Sequence, residues 1–221
     1  MKDILDELAA VQRGLGRATI PAGDAATVTL KRSYPADIED VWDAITDPER
    51  INRWFMPVTG ELKVGGRYQL QGNAGGEILH CEPPRHFKVT WVYGENPGPS
   101  DISEVTVRLS EGAGGATTTL ELVHAAVVDP KMDTEYGPGA VGVGWDLALL
   151  GLALHLSGGE LTPEERAAFD TSPEGREFAT RSSEAWGKAM LDSGGDPEDV
   201  ARRVANTTAF YVPPVTEPDG Q

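Results

Sequence analysis

The chain has 221 residues, 39% of them hydrophobic and 24% charged, the usage of an ordinary globular protein with room for one domain and an extension. Its 19 lysines and arginines stand against 35 aspartates and glutamates, and the formal net charge of -16 repels phosphate backbones and anionic lipids, which argues against a nucleic-acid or membrane-surface partner; acidity for solubility alone is the plainer reading. The single cysteine, Cys81, excludes an internal disulfide and a cysteine-rich metal site, and reads as a buried, inert thiol.

The predicted elements begin with a short amphipathic helix over residues 2–12, where Ile4, Leu5, Leu8 and Val11 recur at helical spacing. This amino terminus is acidic where a signal peptide is basic and then apolar, so a cytoplasmic chain is expected. A glycine-rich joint reaches residue 25. Val28, Leu30 and Tyr34 then alternate with Thr27, Thr29, Lys31 and Ser33 in a half-buried strand over residues 26–34, with Arg32 on the inward parity. Two short helices follow. Ile38, Val41, Trp42 and Ile45 share the face of the first, and Asp47-Pro48-Glu49 opens the second, which carries Ile51, Trp54 and Phe55.

Residues 60–126 read as an antiparallel meander. Gly65-Gly66, Pro83-Pro84 and Gly114-Gly115 punctuate it. Tyr68 with Leu70, then Phe87, Val89, Trp91 and Tyr93, then Val105, Val107 and Leu109, then Leu120, Leu122 and His124 each keep one parity. Residues 142–156 form a long helix that is apolar on every side. At roughly 20 apolar residues for a span it is too short, and Asp146 and His155 interrupt it, so no membrane span is expected and protein must cover it. Trp145, Leu149, Leu152 and Leu156 make one stripe, while Leu147, Leu150 and Leu154 point elsewhere.

Cover is available downstream. Thr162-Pro163-Glu164-Glu165, Ser172-Pro173-Glu174 and Asp196-Pro197-Glu198-Asp199 each read as an N-cap, a proline at the first helical position and acids in the first turn. Three helices over residues 159–212 therefore fold back on the long helix, or on its copy in a homodimer, and a disordered tail runs over residues 213–221. The fold class is α+β, a curved antiparallel sheet wrapped around the long helix over residues 26–158.

The order of these elements resembles the START-like (SRPBCC, helix-grip) superfamily, and within it the bacterial relatives of the activator of the ninety-kilodalton heat-shock-protein ATPase. The strings that carry the resemblance run from Ala36-Asp37-Ile38 through Asp47-Pro48, then Arg53-Trp54-Phe55, Gly65-Gly66-Arg67-Tyr68, Glu82-Pro83-Pro84-Arg85, Thr90-Trp91, Leu122-Val123-His124 and Gly144-Trp145-Asp146. The resemblance implies a pocket between sheet and helix that takes an apolar small molecule, lipid- or polyketide-like. An aromatase/cyclase-type enzyme and a protein that modulates a chaperone ATPase are the alternatives, since fold alone does not choose.

Strand and helix parity place Trp54, Phe55, Tyr68, Phe87, Trp91, Tyr93, His124, Trp145 and Leu149 around that pocket, unless these aromatics fill a solid core. His124 is either an acid or base, or a hydrogen-bonded core residue. Arg32 either grips a ligand carboxylate or pairs with an acid, and the strand carrying Glu77 and His80 alternates too poorly to assign. The four histidines, His80, His86, His124 and His155, show no metalloprotease spacing, and the chain has no phosphate-binding glycine loop and no nucleophile elbow, so no metal or cofactor is expected.

Overall fold

The computed structural model describes residues 4–94, 97–98, 101–159 and 162–214. The chain opens with α1 (Ile4–Ala9), β1 (Gln12–Ile20) and β2 (Gly23–Tyr34). Helices α2 (Ile38–Thr46) and α3 (Pro48–Trp54) follow, each started by an aspartate whose carboxylate accepts a backbone N–H three residues on: Asp37 from Asp40, and Asp47 from Arg50. The meander is β3 (Val58–Gly60), β4 (Arg67–Leu70), β5 (Gly75–Glu82), β6 (His86–Trp91), β7 (Ser103–Glu111) and β8 (Thr118–Ala126). All eight strands join antiparallel in the order β1-β2-β8-β7-β6-β5-β4-β3, with β8 returning to pair with β2.

The expected helix over residues 2–12 and the joint to residue 25 are corrected here. The helix ends at Ala9, and Gln12–Ile20 is an edge strand paired with β2 from Gln12 opposite Lys31 to Ile20 opposite Gly23. Gly14 and Gly16 read as breakers in isolation. In an edge strand they lie flat against the partner, and a Cβ on Gly16 would come within 3.0 Å of the Thr27 hydroxyl. Residues 2 and 3 of the expected helix, and residues 215–221 of the expected tail, lie outside the described residues. Within that tail, the Pro213 carbonyl accepts a hydrogen bond from Arg176.

A helix absent from the sequence reading, α4 (Pro130–Tyr136), starts on the same aspartate-proline signal, with Asp129 accepting from the backbone of Lys131 and Met132. The long helix α5 (Gly139–Leu156) is followed by α6 (Pro163–Phe169), α7 (Pro173–Asp192) and α8 (Pro197–Tyr211), capped by Thr162, Ser172 and Asp196 as their sequences require. The Thr162 cap is a full capping box with Glu165.

Helix α5 is apolar all round because both of its sides are occupied. Val143, Leu149, Leu152 and Ala153 belong to the main core against the sheet, whereas Leu150 is buried between Leu8 of α1 and Phe178 of α7, with Leu147 and Leu154 packed alongside. Among the described helices it is the one long and apolar enough to cross a membrane by length and composition, and half of it is buried inside this chain, as befits a core helix. The extension thus covers the long helix of its own chain. Contact is close enough to demand glycine: a Cβ on Gly142 would sit 2.1 Å from the Trp186 ring, and one on Gly151 2.6 Å from the Trp54 carbonyl oxygen.

Asp146 fixes how these pieces meet. Its side chain, 1% exposed, takes hydrogen bonds from Arg13 of β1 at 3.0 and 2.9 Å, from Ser182 of α7 at 2.5 Å and from the Trp186 indole at 3.0 Å. Burial pushes the carboxyl pKa up, and Arg13, Ser182 and Trp186 oppose that shift. Asp146→Ala strands a buried guanidinium, a hydroxyl and an indole N–H together. It is expected to lower the free energy of unfolding by about 3–5 kcal/mol, measured by urea denaturation, with Asp146→Asn costing less because its amide oxygen still accepts.

Candidate functional site

Between the concave sheet face, α3 and α5 lies a cavity of about 200 Å³. Alternation puts Tyr68 and Leu70 of β4, Phe87, Val89 and Trp91 of β6, Val105 and Val107 of β7, and Leu120 and Leu122 of β8 on its wall. Helix α5 closes it with Trp145, Ala148, Leu149 and Leu152, spaced so as to share one face. Trp54 and Phe55, stacked with ring centroids 5.4 Å apart, complete the helical side, and the Trp54 indole is pinned by a 2.8 Å hydrogen bond to the Ala44 carbonyl.

The expected group therefore assembles in large part: Trp54, Phe55, Tyr68, Phe87, Trp91, Trp145 and Leu149 all line one cavity. The wall also includes Ile45 and Thr46 of α2, Ile51 of α3, and Leu62 and Lys63 of the β3–β4 loop, which the sequence reading did not assign to it. Ile45 was legible as part of an apolar helical face, but nothing in that periodicity separates a cavity wall from solid core.

Three expected residues lie elsewhere. Tyr93, placed on the inward parity of Phe87 and Trp91, falls just past the end of β6 and is 60% exposed, on an outer groove along α5 that also runs past Met132, Phe210 and Tyr211. Arg32 is buried against α1, where it binds the Glu7 carboxylate and, at 3.0 Å, the Glu7 carbonyl; its charge serves an internal ion pair. Desolvation lowers the Arg32 pKa. His124 is buried behind Trp145, off the cavity wall but at the inner side of that groove, which shares Trp54, Phe55, Trp91 and Trp145 with the cavity.

The hydrogen bonds of His124 define its state. The Trp145 indole N–H donates to Nδ1 at 3.1 Å, so the ring proton is on Nε2, which lies 2.8 Å from the Ser103 hydroxyl. Ser103 in turn donates to the Trp91 carbonyl at 2.6 Å. The relay holds Trp91 and Trp145 at a centroid distance of 5.0 Å, and burial lowers the imidazole pKa to about 4. His124 is a neutral positioning residue for the two tryptophans.

No aspartate, glutamate or histidine is among the described cavity residues. Tyr68 is committed to the Thr90 carbonyl at 2.7 Å, and burial raises its pKa far from neutrality. The Trp91 indole N–H is buried with no acceptor among the described residues. Cys81, expected to be buried, is exposed on β5 at the cavity margin beside Ile78 and Lys63, because β4 pairs only with Gly75–Glu77 and leaves the far end of this strand uncovered; partial desolvation raises its thiol pKa. Glu77 and His80 face away from the cavity, on the outer surface. One set of side chains among the described residues could hold a metal ion, His80, Glu82 and His86, and it too lies on that outer face.

Comparison with known proteins places this architecture. A family model described as Activator of Hsp90 ATPase homolog 1-like protein matches residues 35–157. The solution structure of CalU16 from Micromonospora echinospora is 43% identical, with a TM-score of 0.68 over 85% of this chain and 97% of that one. DynU16, a protein from the dynemicin biosynthetic locus, is 26% identical with a TM-score of 0.50, covering 61% of this chain and 48% of its own. An Hsp90 activator from Plasmodium falciparum, 23% identical with a TM-score of 0.51 over 60% of this chain and 96% of that one, shares the fold. Among curated proteins, none matches.

The depressed His124 pKa makes folding depend on pH with a defined sign. Unfolded, the imidazole titrates near its ordinary 6.5; folded, near 4. The stabilisation is therefore complete above pH 6.5 and lost as pH falls toward 4, amounting to about 3 kcal/mol. Urea denaturation at pH 7 and pH 4 is expected to show this loss in the native protein and a smaller one in His124→Gln, the difference between the two isolating His124 from the carboxylates.

Proposed function

Because the chain belongs to the Activator of Hsp90 ATPase homolog 1-like family, we propose that it uses the helix-grip cavity to bind a compact apolar small molecule, lipid- or polyketide-like. The observation that carries the reading is the cavity itself: about 200 Å³ of space walled by aromatic and aliphatic side chains. An engineered apolar cavity of about 150 Å³ stays dry and takes up benzene, whereas drug-sized ligands occupy roughly 300 Å³ or more. The fit is to one or two fused rings or a short acyl chain. That a relative comes from the dynemicin biosynthetic locus supports a natural-product intermediate as the occupant.

Binding without chemistry is favoured over an aromatase/cyclase activity. Such a reaction needs an acid or base near neutral pH beside the substrate. Here the nearest histidine is neutral and engaged at both nitrogens, and the lining phenol is bonded to a carbonyl.

The test is direct. Titration with 2-naphthol, followed by tryptophan fluorescence, is expected to show saturable quenching, since Trp54, Trp91 and Trp145 all line the cavity. Val107→Phe and Leu149→Phe each add volume to the wall and are expected to weaken binding about tenfold or more, at a stability cost of about 1–3 kcal/mol. No saturable binding by the native protein overturns the reading. Stimulation of a chaperone ATPase by both the native and the Val107→Phe proteins would put the interaction reading in its place.

A further inference from the structure

Residues His80, Glu82 and His86 fall within seven positions of sequence and lie together in space. Strands β5 and β6 form a hairpin across Pro83-Pro84 in which Glu82 is directly opposite His86 and His80 opposite Lys88. His80 and Glu82, two apart on one strand, share a face, and the pairing adds His86 to it. The imidazole rings lie with centroids 4.6 Å apart, His80 Nε2 is 3.7 Å from a Glu82 oxygen, and one ligating atom from each of the three residues lies within 4.8 Å of the other two.

The surrounding charges leave this trio available. Lys88 is held at 2.6 Å by Glu104, and Arg108, opposite His86 on the other side, is within 3.7 Å of Glu121. Both nearby cations have a carboxylate of their own besides Glu82. His86 Nε2 is buried with no hydrogen-bond partner among the described residues, and coordination through that nitrogen would satisfy it. His80 and Glu82, with side chains 48% and 68% exposed, are free to rotate onto an ion. Around zinc, ligating atoms about 2.1 Å from the metal stand about 3.4 Å from one another, so rotamer adjustment alone closes the set.

We propose that the β5–β6 hairpin is a binding site for a borderline divalent transition cation of the zinc class, held by the two imidazoles and the Glu82 carboxylate with water completing the shell. Two nitrogens and one oxygen suit zinc, nickel or copper and disfavour magnesium and calcium, which take oxygen shells. The site is on the opposite face of the sheet from the cavity, because Cys81 and Phe87, which alternate with its ligands, are the residues that line that cavity. It therefore stands independently of the small-molecule reading.

Isothermal titration of the metal-free protein with Zn2+, with imidazole proton signals followed by NMR, tests the site. One saturable equivalent is expected, shifting the signals of His80 and His86 and sparing those of His124 and His155. His80→Ala and His86→Ala are each expected to weaken binding about tenfold or more, and Glu82→Gln also to weaken it, while Cys81→Ser leaves it unchanged. Circular dichroism of each variant confirms the fold. No saturable binding, or unchanged binding in the His80→Ala/His86→Ala double variant, overturns the proposal.

Discussion

A carboxylate in the middle of a greasy helix is tolerable only if every lone pair is met, and the placement of Asp146 imposes that condition on the rest of the molecule. Arg13 must come from the first strand, and Ser182 and Trp186 must come from α7. The edge strand, the long helix and the extension are thereby held in one arrangement, because any slip would leave a buried charge without its partner. Such a pair adds less net stability than its close geometry suggests, since desolvation offsets most of the attraction. Its larger effect is to set register.

That register reaches the cavity through the neighbouring residue. Side chains on consecutive helical residues project about 100° apart, so Asp146 directed at α7 leaves Trp145 directed at the sheet. Trp145 then meets Trp91 and the His124 ring, and its indole N–H fixes the tautomer of that histidine. Most of the polar groups near the cavity are spent on holding its walls: Trp54 on the Ala44 carbonyl, Tyr68 on Thr90, His124 on Trp145 and Ser103. What remains exposed to the interior is mainly shape and apolar surface, the basis for recognising a molecule by burial.

Much of this was legible locally. Aspartate, serine or threonine before a proline marked the starts of α3, α6, α7 and α8, because a capping oxygen and a fixed φ act over three or four residues. Alternation placed Tyr68, Phe87, Trp91 and Leu122 on one face, and the lack of any amphipathic stripe in α5 called for a cover over it. Failures were equally local in origin. Glycines that loosen an isolated segment are harmless in a paired edge strand, so β1 read as a joint. Parity carried past the end of β6 turned Tyr93 inward when the strand had already stopped.

By itself the sequence determined the α+β class, the meander, the capped helices and the need to enclose α5, since each follows from propensities and periodicities within a few residues. Only the tertiary structure decided that Arg32 answers Glu7, that His124 is a neutral clamp between two tryptophans, that Cys81 is exposed and that a 200 Å³ space survives among the aromatics. It also brought His80, Glu82 and His86 together across a hairpin, where a reading by helical spacing finds no metal site. These are matters of distance and volume between residues far apart or on opposite strands. Side-chain pattern along a chain encodes which way a residue faces, and packing alone sets what it meets there.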